Sequence, residues 1–229
     1  MKKRSKRYKN FIKITDKNKK LEIKDLLENI KKNSNAKFDE SIDVSLKLNI
    51  KQSKGGDANI RTIVKLPNGS GKKLKVAVLC ESDKLNEAKE SNADIIGSDD
   101  LIEKVSQGKF DFDKLISTPA MMGKIGKHGK ILGPKGLMPN PKLGTVSNDL
   151  KKAVSDLKNG LVEIKNDKDG NLASTIGRKS FTSEKLIENL KFFIDSIKKE
   201  KPSNIKGDFI KGVYISSTMG ASHKISNYK

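Results

Sequence analysis

The apolar residues of this chain change their period twice, and that change restricts the fold more than any other feature. Over residues 41–50 the period is two: Ile42, Val44, Leu46, Leu48 and Ile50 share one face, while Asp43, Ser45, Lys47 and Asn49 share the other. Such a strand is half-buried and belongs to an antiparallel sheet with one wet face. Ahead of it, Ile23, Leu26, Leu27 and Ile30 fall at i, i+3, i+4 and i+7, the stripe of an amphipathic helix that ends near Asn33. Gly55-Gly56 punctuates the chain, and Ile60, Val64 and Leu66 mark a second strand before Pro67-Asn68-Gly69-Ser70-Gly71 interrupts it. That break reads as a domain boundary.

Beyond it strands and helices alternate. Residues 75–80 read as a strand, a helix starts at Asp83, Ile95-Ile96 form a short strand, Ser98 and Asp99 open a helix, and Leu115-Ile116 form a further strand. This βαβ order calls for a parallel sheet with right-handed crossovers. A helix from Ser147, with Leu150, Val154 and Leu157 inward, stops at Gly160, which has the place of a C-cap glycine. The antiparallel style then returns. Residues 161–166 and 172–176 flank the turn Asp167-Lys168-Asp169-Gly170 and read as a hairpin. Leu186, Leu190, Phe193, Ile194 and Ile197 line one helix face before Pro202, and residues 209–216 close the chain as a strand. The expected fold is therefore α+β and α/β in two domains. A discontinuous antiparallel α+β domain uses residues 1–68 and 160–229, and an inserted α/β, Rossmann-like three-layer domain uses residues 69–159. Two linkers at one junction permit relative motion of the domains.

Charge restricts the partner. Forty-eight Lys and Arg against 28 Asp and Glu leave a net charge of +20, which attracts phosphate-rich polymers or anionic surfaces. Arg4, Arg7, Arg61 and Arg178 are the only arginines, so the surplus is carried by lysine. Cys80 is the single cysteine, so no disulfide framework or thiolate metal cluster can form, and a reducing, cytoplasmic setting is expected. No apolar stretch approaches the ~20 residues of a membrane span. The basic amino terminus, residues 1–9, reads as a solvated arm that adds phosphate contacts.

Catalytic chemistry finds little support. From Met121 to Val146, Gly123, Gly126, Gly129, Gly133, Gly136 and Gly144 are interleaved with Lys124, Lys127, Lys130, Lys135 and Lys142, a backbone that phosphates could approach closely. Neither a P-loop nor a dinucleotide fingerprint is present, and Leu66 stands where a P-loop ending at Gly71-Lys72 needs its first glycine. His128 and His223 are the only imidazoles and stand in unlike surroundings. The Asp99-Asp100 pair is explained by the dipole of the helix it opens. Met219 reads as part of an ordinary turn and partly buried, while Phe38 sits in a polar link outside both neighbouring periodicities. A generic lysine-rich nucleic-acid binder and a phosphate-handling enzyme remain the alternatives to specific RNA recognition.

Gly133-Pro134-Lys135-Gly136-Leu137-Met138-Pro139-Asn140-Pro141-Lys142 followed by Gly144-Thr145-Val146 resembles the signature of the large ribosomal subunit protein L-one family, bacterial type. Ala36-Lys37-Phe38-Asp39-Glu40, Leu66-Pro67-Asn68-Gly69, Ala93-Asp94-Ile95-Ile96-Gly97, Asn166-Asp167-Lys168 and Ser217-Thr218-Met219-Gly220 resemble it in the same order. The resemblance implies two domains, one built from both chain ends and one inserted. It implies a non-enzymatic, ribosome-bound protein without a cofactor and without homo-oligomers. Its large-subunit rRNA target is a folded stem, where the protein forms the mobile side stalk and helps deacylated tRNA leave the exit site. Repression of its own operon mRNA is implied as well. The RNA-contacting residues it implies are Glu28, Lys37, Phe38, Ser41, Lys165, Lys168, Ser216, Thr218, Met219 and Gly220. In these roles Phe38 and Met219 touch ribose and base faces, Glu28, Ser216 and Thr218 hydrogen-bond 2′-hydroxyls, and Gly220 lets the backbone meet the sugar edge. Lys37, Lys165 and Lys168 supply the salt-sensitive phosphate term. Two positions depart from the family pattern: Ala221 replaces the usual proline, and Lys135 replaces an arginine, which removes a planar bidentate donor.

Overall fold

The computed structural model describes residues 5, 6, 9, 22–50, 60–108, 110–202, 205 and 207–225. Gly55-Gly56 and most of the basic amino-terminal segment lie outside these. In chain order the first elements are α1 (Ile23–Asn33), β1 (Ser41–Leu48), β2 (Arg61–Lys65), β3 (Val76–Leu79), α2 (Leu85–Glu90), β4 (Ile95–Gly97), α3 (Asp99–Ser106) and β5 (Lys114–Ser117). They are followed by α4 (Pro119–Gly126), α5 (Gly129–Leu132), α6 (Leu150–Lys158), β6 (Leu161–Lys165), β7 (Asn171–Arg178), α7 (Ser183–Lys199), β8 (Ile210–Ser217) and β9 (His223–Ile225). The chain divides into two compact units, Met1–Gly71 with Val162–Lys229, and Lys72–Leu161.

In the two-segment unit, β7, β1, β8 and β9 form an antiparallel sheet in that order. Ile42, Val44, Leu46 and Leu48 of β1 are buried and share one core with Leu26, Leu27 and Ile30 of α1 and with Leu186, Leu190, Phe193, Ile194 and Ile197 of α7. The alternate residues Ser41, Asp43, Ser45 and Lys47 stay at least partly exposed on the opposite face. One strand thus sorts its side chains by parity, apolar residues toward the helices and polar residues toward water.

The hairpin expected around residues 167–170 does not form. β6 pairs with β2 in a separate two-stranded sheet, whereas β7 pairs with β1. Each flank found a partner far away in the chain: Asn166 and Ile60 exchange hydrogen bonds at 3.2 and 2.7 Å, and Leu48 N donates to Gly170 O at 2.9 Å. Gly170 has φ +75°, and a Cβ there would stand 3.3 Å from Leu48 O, so this turn needs glycine on both counts. β9, three residues at the sheet edge, is an element that periodicity did not reveal.

The other unit is a three-layer sandwich. Its parallel sheet runs β4-β3-β5. Val76, Val78 and Ile116 pack against Ala88 of α2 and Leu150, Ala153, Val154 and Leu157 of α6. Ala77, Leu79 and Leu115 pack the other way, against Leu101 and Val105 of α3, Met121 and Ile125 of α4, and Leu132 of α5. Strands covered on both faces are apolar throughout, and all four residues of β3 are buried. Cys80 continues this run as a buried residue, and burial, with help from Glu87 and Glu81, pushes its thiol pKa up. The α6 helix begins at Leu150 rather than Ser147, because Ser147 Oγ accepts from Asp149 N at 3.1 Å and closes a local turn. Asp149 is the cap instead, its carboxylate accepting from Lys152 N at 3.0 Å. Ser98 stands at the start of α3 without capping it through its side chain.

Gly123 lies inside α4, where a Cβ would meet nothing within 4 Å. Its cost is therefore purely conformational. Gly123→Ala is expected to stabilise this unit by about 0.5–1 kcal/mol, read as a rise of about 3 °C in its thermal unfolding midpoint. A lowered midpoint would show that the space beside this backbone is needed within the folded chain.

Candidate nucleic-acid interface

The wet face of the antiparallel sheet ends in two adjoining loops. Residues 34–40 lead from α1 into β1, and residues 218–222 connect β8 to β9. Thr218 fastens the second loop to the start of β1. Its Oγ1 accepts from Ser41 N at 2.9 Å and lies 2.8 Å from Ser41 Oγ, and its own N–H donates to Ser41 O at 3.0 Å. The hydroxyl chain continues across the sheet: Ser41 Oγ donates to Asp43 Oδ2 at 3.2 Å, and Thr175 Oγ1 donates to Asp43 Oδ1 at 2.7 Å.

The first loop is held from its other side by residues 178–181. Ser180 donates from N and Oγ to the Asp39 carboxylate at 3.1 and 2.9 Å, and Arg178 Nη1 donates to Asp39 O at 3.1 Å. Lys179 Nζ reaches Ser34 O at 2.5 Å, and Lys31 Nζ bonds the carbonyl of Phe181. Glu40, 1% exposed, accepts from Ala36 N at 3.0 Å through Oε1 and from Met219 N at 3.2 Å through Oε2.

On these tethered loops Phe38 is 54% exposed and Met219 51% exposed. The partly buried Met219 expected from the sequence is thus corrected: its backbone is tied down, and its side chain faces outward. Large apolar side chains presented from fixed loops offer contact area that costs little ordering on binding. Gly220 is required locally as well, since a Cβ there would come within 2.4 Å of Ser217 Oγ. Ser217 is buried, so the hydroxyl has little room to withdraw.

The structure brings Lys37, Phe38, Ser41, Thr218, Met219 and Gly220 together at one end of the sheet. Ser216 lies one step along, opposite Asp43. Lys165 and Lys168 lie at the other end, where the turn after β6 meets Leu48. The six residue steps from Ser41 to Lys47 set the two ends about 20 Å apart. That turn is built by Asp167, whose carboxylate accepts from Asn171 N at 2.6 Å, Asn171 Nδ2 at 2.9 Å and Asp169 N at 3.0 Å. The Asn171 bonds hold the Asp167 carboxyl below its ordinary pKa. Glu28, half-buried on α1, stays outside the hydrogen-bonded cluster. Between the ends run Asp43, Ser45, Lys47 and, opposite Ser45, Tyr214. Sequence reasoning passed over Tyr214, although it shares the parity of Ser216 on β8. Glu40 was passed over too, as a carboxylate beside a strand start ordinarily faces water.

In the other unit, Lys135 Nζ sits 3.8 Å from the centre of the Phe110 ring, which meets Phe112 edge-on at 6.0 Å. The lysine found where the family pattern has arginine thus has an intramolecular use as a cation over an aromatic face. Among the described residues no helix is long and apolar enough to cross a membrane.

Comparison with known proteins finds relatives along nearly the whole chain. Large ribosomal subunit protein uL1 of Pelagibacter ubique (strain HTCC1062) is 55% identical over 204 residues, covering 89% of each chain. The protein of that name from Kosmotoga olearia is 48% identical over 229 residues, covering 100% of this chain and 99% of the relative. That from Thermosipho africanus (strain TCF52B) is 47% identical over 226 residues, covering 98% and 97%. Residues 30–221 match the description of one family across both units, and the chain belongs to it: the Ribosomal protein L1p/L10e family.

Proposed function

We propose that this protein is a structural constituent of the large ribosomal subunit that recognises a folded stem of large-subunit rRNA through its two-segment unit. The observation that carries the reading is the pair of exposed apolar side chains, Phe38 and Met219, on loops that share one buried carboxylate. Ringed by the hydroxyls of Ser41, Ser216 and Thr218 and by Lys37, they suit ribose and base surfaces rather than a bare phosphate chain. Lys165 and Lys168, about 20 Å away along the strand, suit the backbone farther along the same stem. Glu28, half-buried on α1, is assigned to the same RNA-contacting set on the family resemblance. On this reading the protein as a whole forms the mobile stalk and helps deacylated tRNA leave the exit site. An element of the protein's own operon mRNA that imitates the rRNA stem would occupy the same face and make the protein a repressor. Its place is on the ribosome, in the cytoplasm.

The test is binding to an rRNA stalk fragment and to a length-matched random hairpin over a salt series, repeated with Phe38→Ala and Met219→Ala. A specific binder keeps a cognate preference of about 100-fold or more as salt rises. Each substitution is expected to lower cognate affinity about tenfold, the scale of one lost base or sugar contact. Equal binding of both RNAs at every salt concentration would leave only a lysine-rich polyanion binder.

A further inference from the structure

We infer that Glu40 is a positioning residue for RNA recognition, a buried carboxylate that sets the distance between the Phe38 and Met219 loops. This rests on the RNA-binding reading above and goes beyond it, since Glu40 is 1% exposed and would act through the loops it holds. Each of its oxygens has a separate task. Oε1 accepts from Ala36 N at 3.0 Å, two residues before Phe38, and Oε2 accepts from Met219 N at 3.2 Å. Its backbone carbonyl accepts from Lys179 N at 2.8 Å, so the residue is also pinned to the β7 end.

The two loops are separated by 179 residues of sequence between Glu40 and Met219. Their relative placement is therefore set by tertiary contacts. A carboxylate is suited to this position because both of its oxygens accept, whereas an amide has one acceptor and one donor of the same shape. A charged acceptor also makes the stronger hydrogen bond from a backbone N–H, which favours a fixed separation. Apolar side chains bind a preformed RNA surface well only when their spacing is set beforehand.

Glu40→Gln tests the role with little change of volume. Its amide can accept from one of the two N–H groups, and its NH2 must confront the other. The variant is expected to bind the cognate rRNA stem about tenfold more weakly, while its affinity for a random hairpin and its salt slope stay as in the unsubstituted protein. Combined with Met219→Ala, it is expected to add less than its own tenfold loss, because one of the contacts it positions is already gone. Glu40→Ala, compared at a temperature where circular dichroism shows both proteins folded, should exceed the glutamine variant in the same direction. A glutamine variant that keeps full cognate affinity overturns the inference, as does one that weakens both RNAs alike or whose loss multiplies fully with that of Met219→Ala. If the unsubstituted protein itself fails to discriminate, the RNA-binding reading falls and this inference falls with it. Discrimination by the unsubstituted protein that is undiminished in the glutamine variant rejects the inference alone.

Discussion

Replacing Asn189 by leucine is expected to destabilise the two-segment unit by about 4 kcal/mol, lowering its unfolding midpoint by roughly 10 °C. Asn189 is fully buried in the apolar face of α7. Its Nδ2 donates to Ile176 O at 2.7 Å and to Gly69 O at 3.0 Å, and its Oδ1 accepts from Asn68 N at 3.1 Å. One amide thus fastens the Pro67-Asn68-Gly69 turn to β7 and α7. Leucine fills the space and leaves two carbonyls and an N–H without this partner, each costing about 1–3 kcal/mol where water cannot enter. Gly69 and Asn68 are half-exposed and can recover part of their hydration, which keeps the sum below the upper limit. Asn189→Asp separates polar pairing from packing. It preserves shape and turns an oxygen toward two carbonyl oxygens, so it should be at least as harmful as leucine. Urea unfolding followed by circular dichroism reads both variants, and a mild aspartate with a severe leucine would show that fit, not hydrogen bonding, gives Asn189 its importance.

Asn189 also shows what could and could not be read beforehand. It stands three residues after Leu186 and four before Phe193, on the apolar stripe itself, and a hydropathy pattern passes over it as one polar residue among leucines. Parity on β1 was legible because one strand carries its own alternation of core and water. The βαβ order was legible because strands covered on both faces leave continuous apolar runs such as Val76 to Cys80. Partner choice was not. The turn at residues 167–170 has hairpin chemistry, yet its flanks join different sheets, because pairing depends on contacts with Ile60 and Leu48 more than a hundred residues away. β9 has three residues, too few for a period to show.

The candidate site was legible in a different sense. Phe38 and Met219 each lacked a periodic explanation, which singled them out without saying what they do. The structure gives both an exposed position on a tethered loop. What the sequence could not reveal was the tether. A glutamate beside a strand start and a serine-threonine pair look like surface chemistry until the fold sets Glu40 beneath Met219 and Ser41 against Thr218.

Thr218→Val is expected to weaken binding to the cognate rRNA stem by about tenfold or more while leaving binding to a random hairpin nearly unchanged. Valine has the shape of threonine and lacks its oxygen. The Thr218 N–H bond to Ser41 O survives, but Ser41 N loses the acceptor it has at 2.9 Å, and the hydroxyl chain through Ser41 to Asp43 is cut at its outer end. Thr218 is exposed and Ser41 half-exposed, so water replaces much of what is lost and the cost to stability stays below about 1 kcal/mol. The cost to recognition is larger on the proposed reading, in which the exposed Thr218 hydroxyl also meets a 2′-hydroxyl of the RNA. Two comparisons isolate this. The preference for an RNA stem over DNA of the same sequence should narrow in the variant, since only RNA offers the 2′-hydroxyl. The slope of log affinity against log salt should stay constant, whereas Lys37→Ala should reduce it by about one. A valine variant that retains its full RNA-over-DNA preference would show that Thr218 serves only to close the loop, leaving recognition to Phe38, Met219 and the lysines.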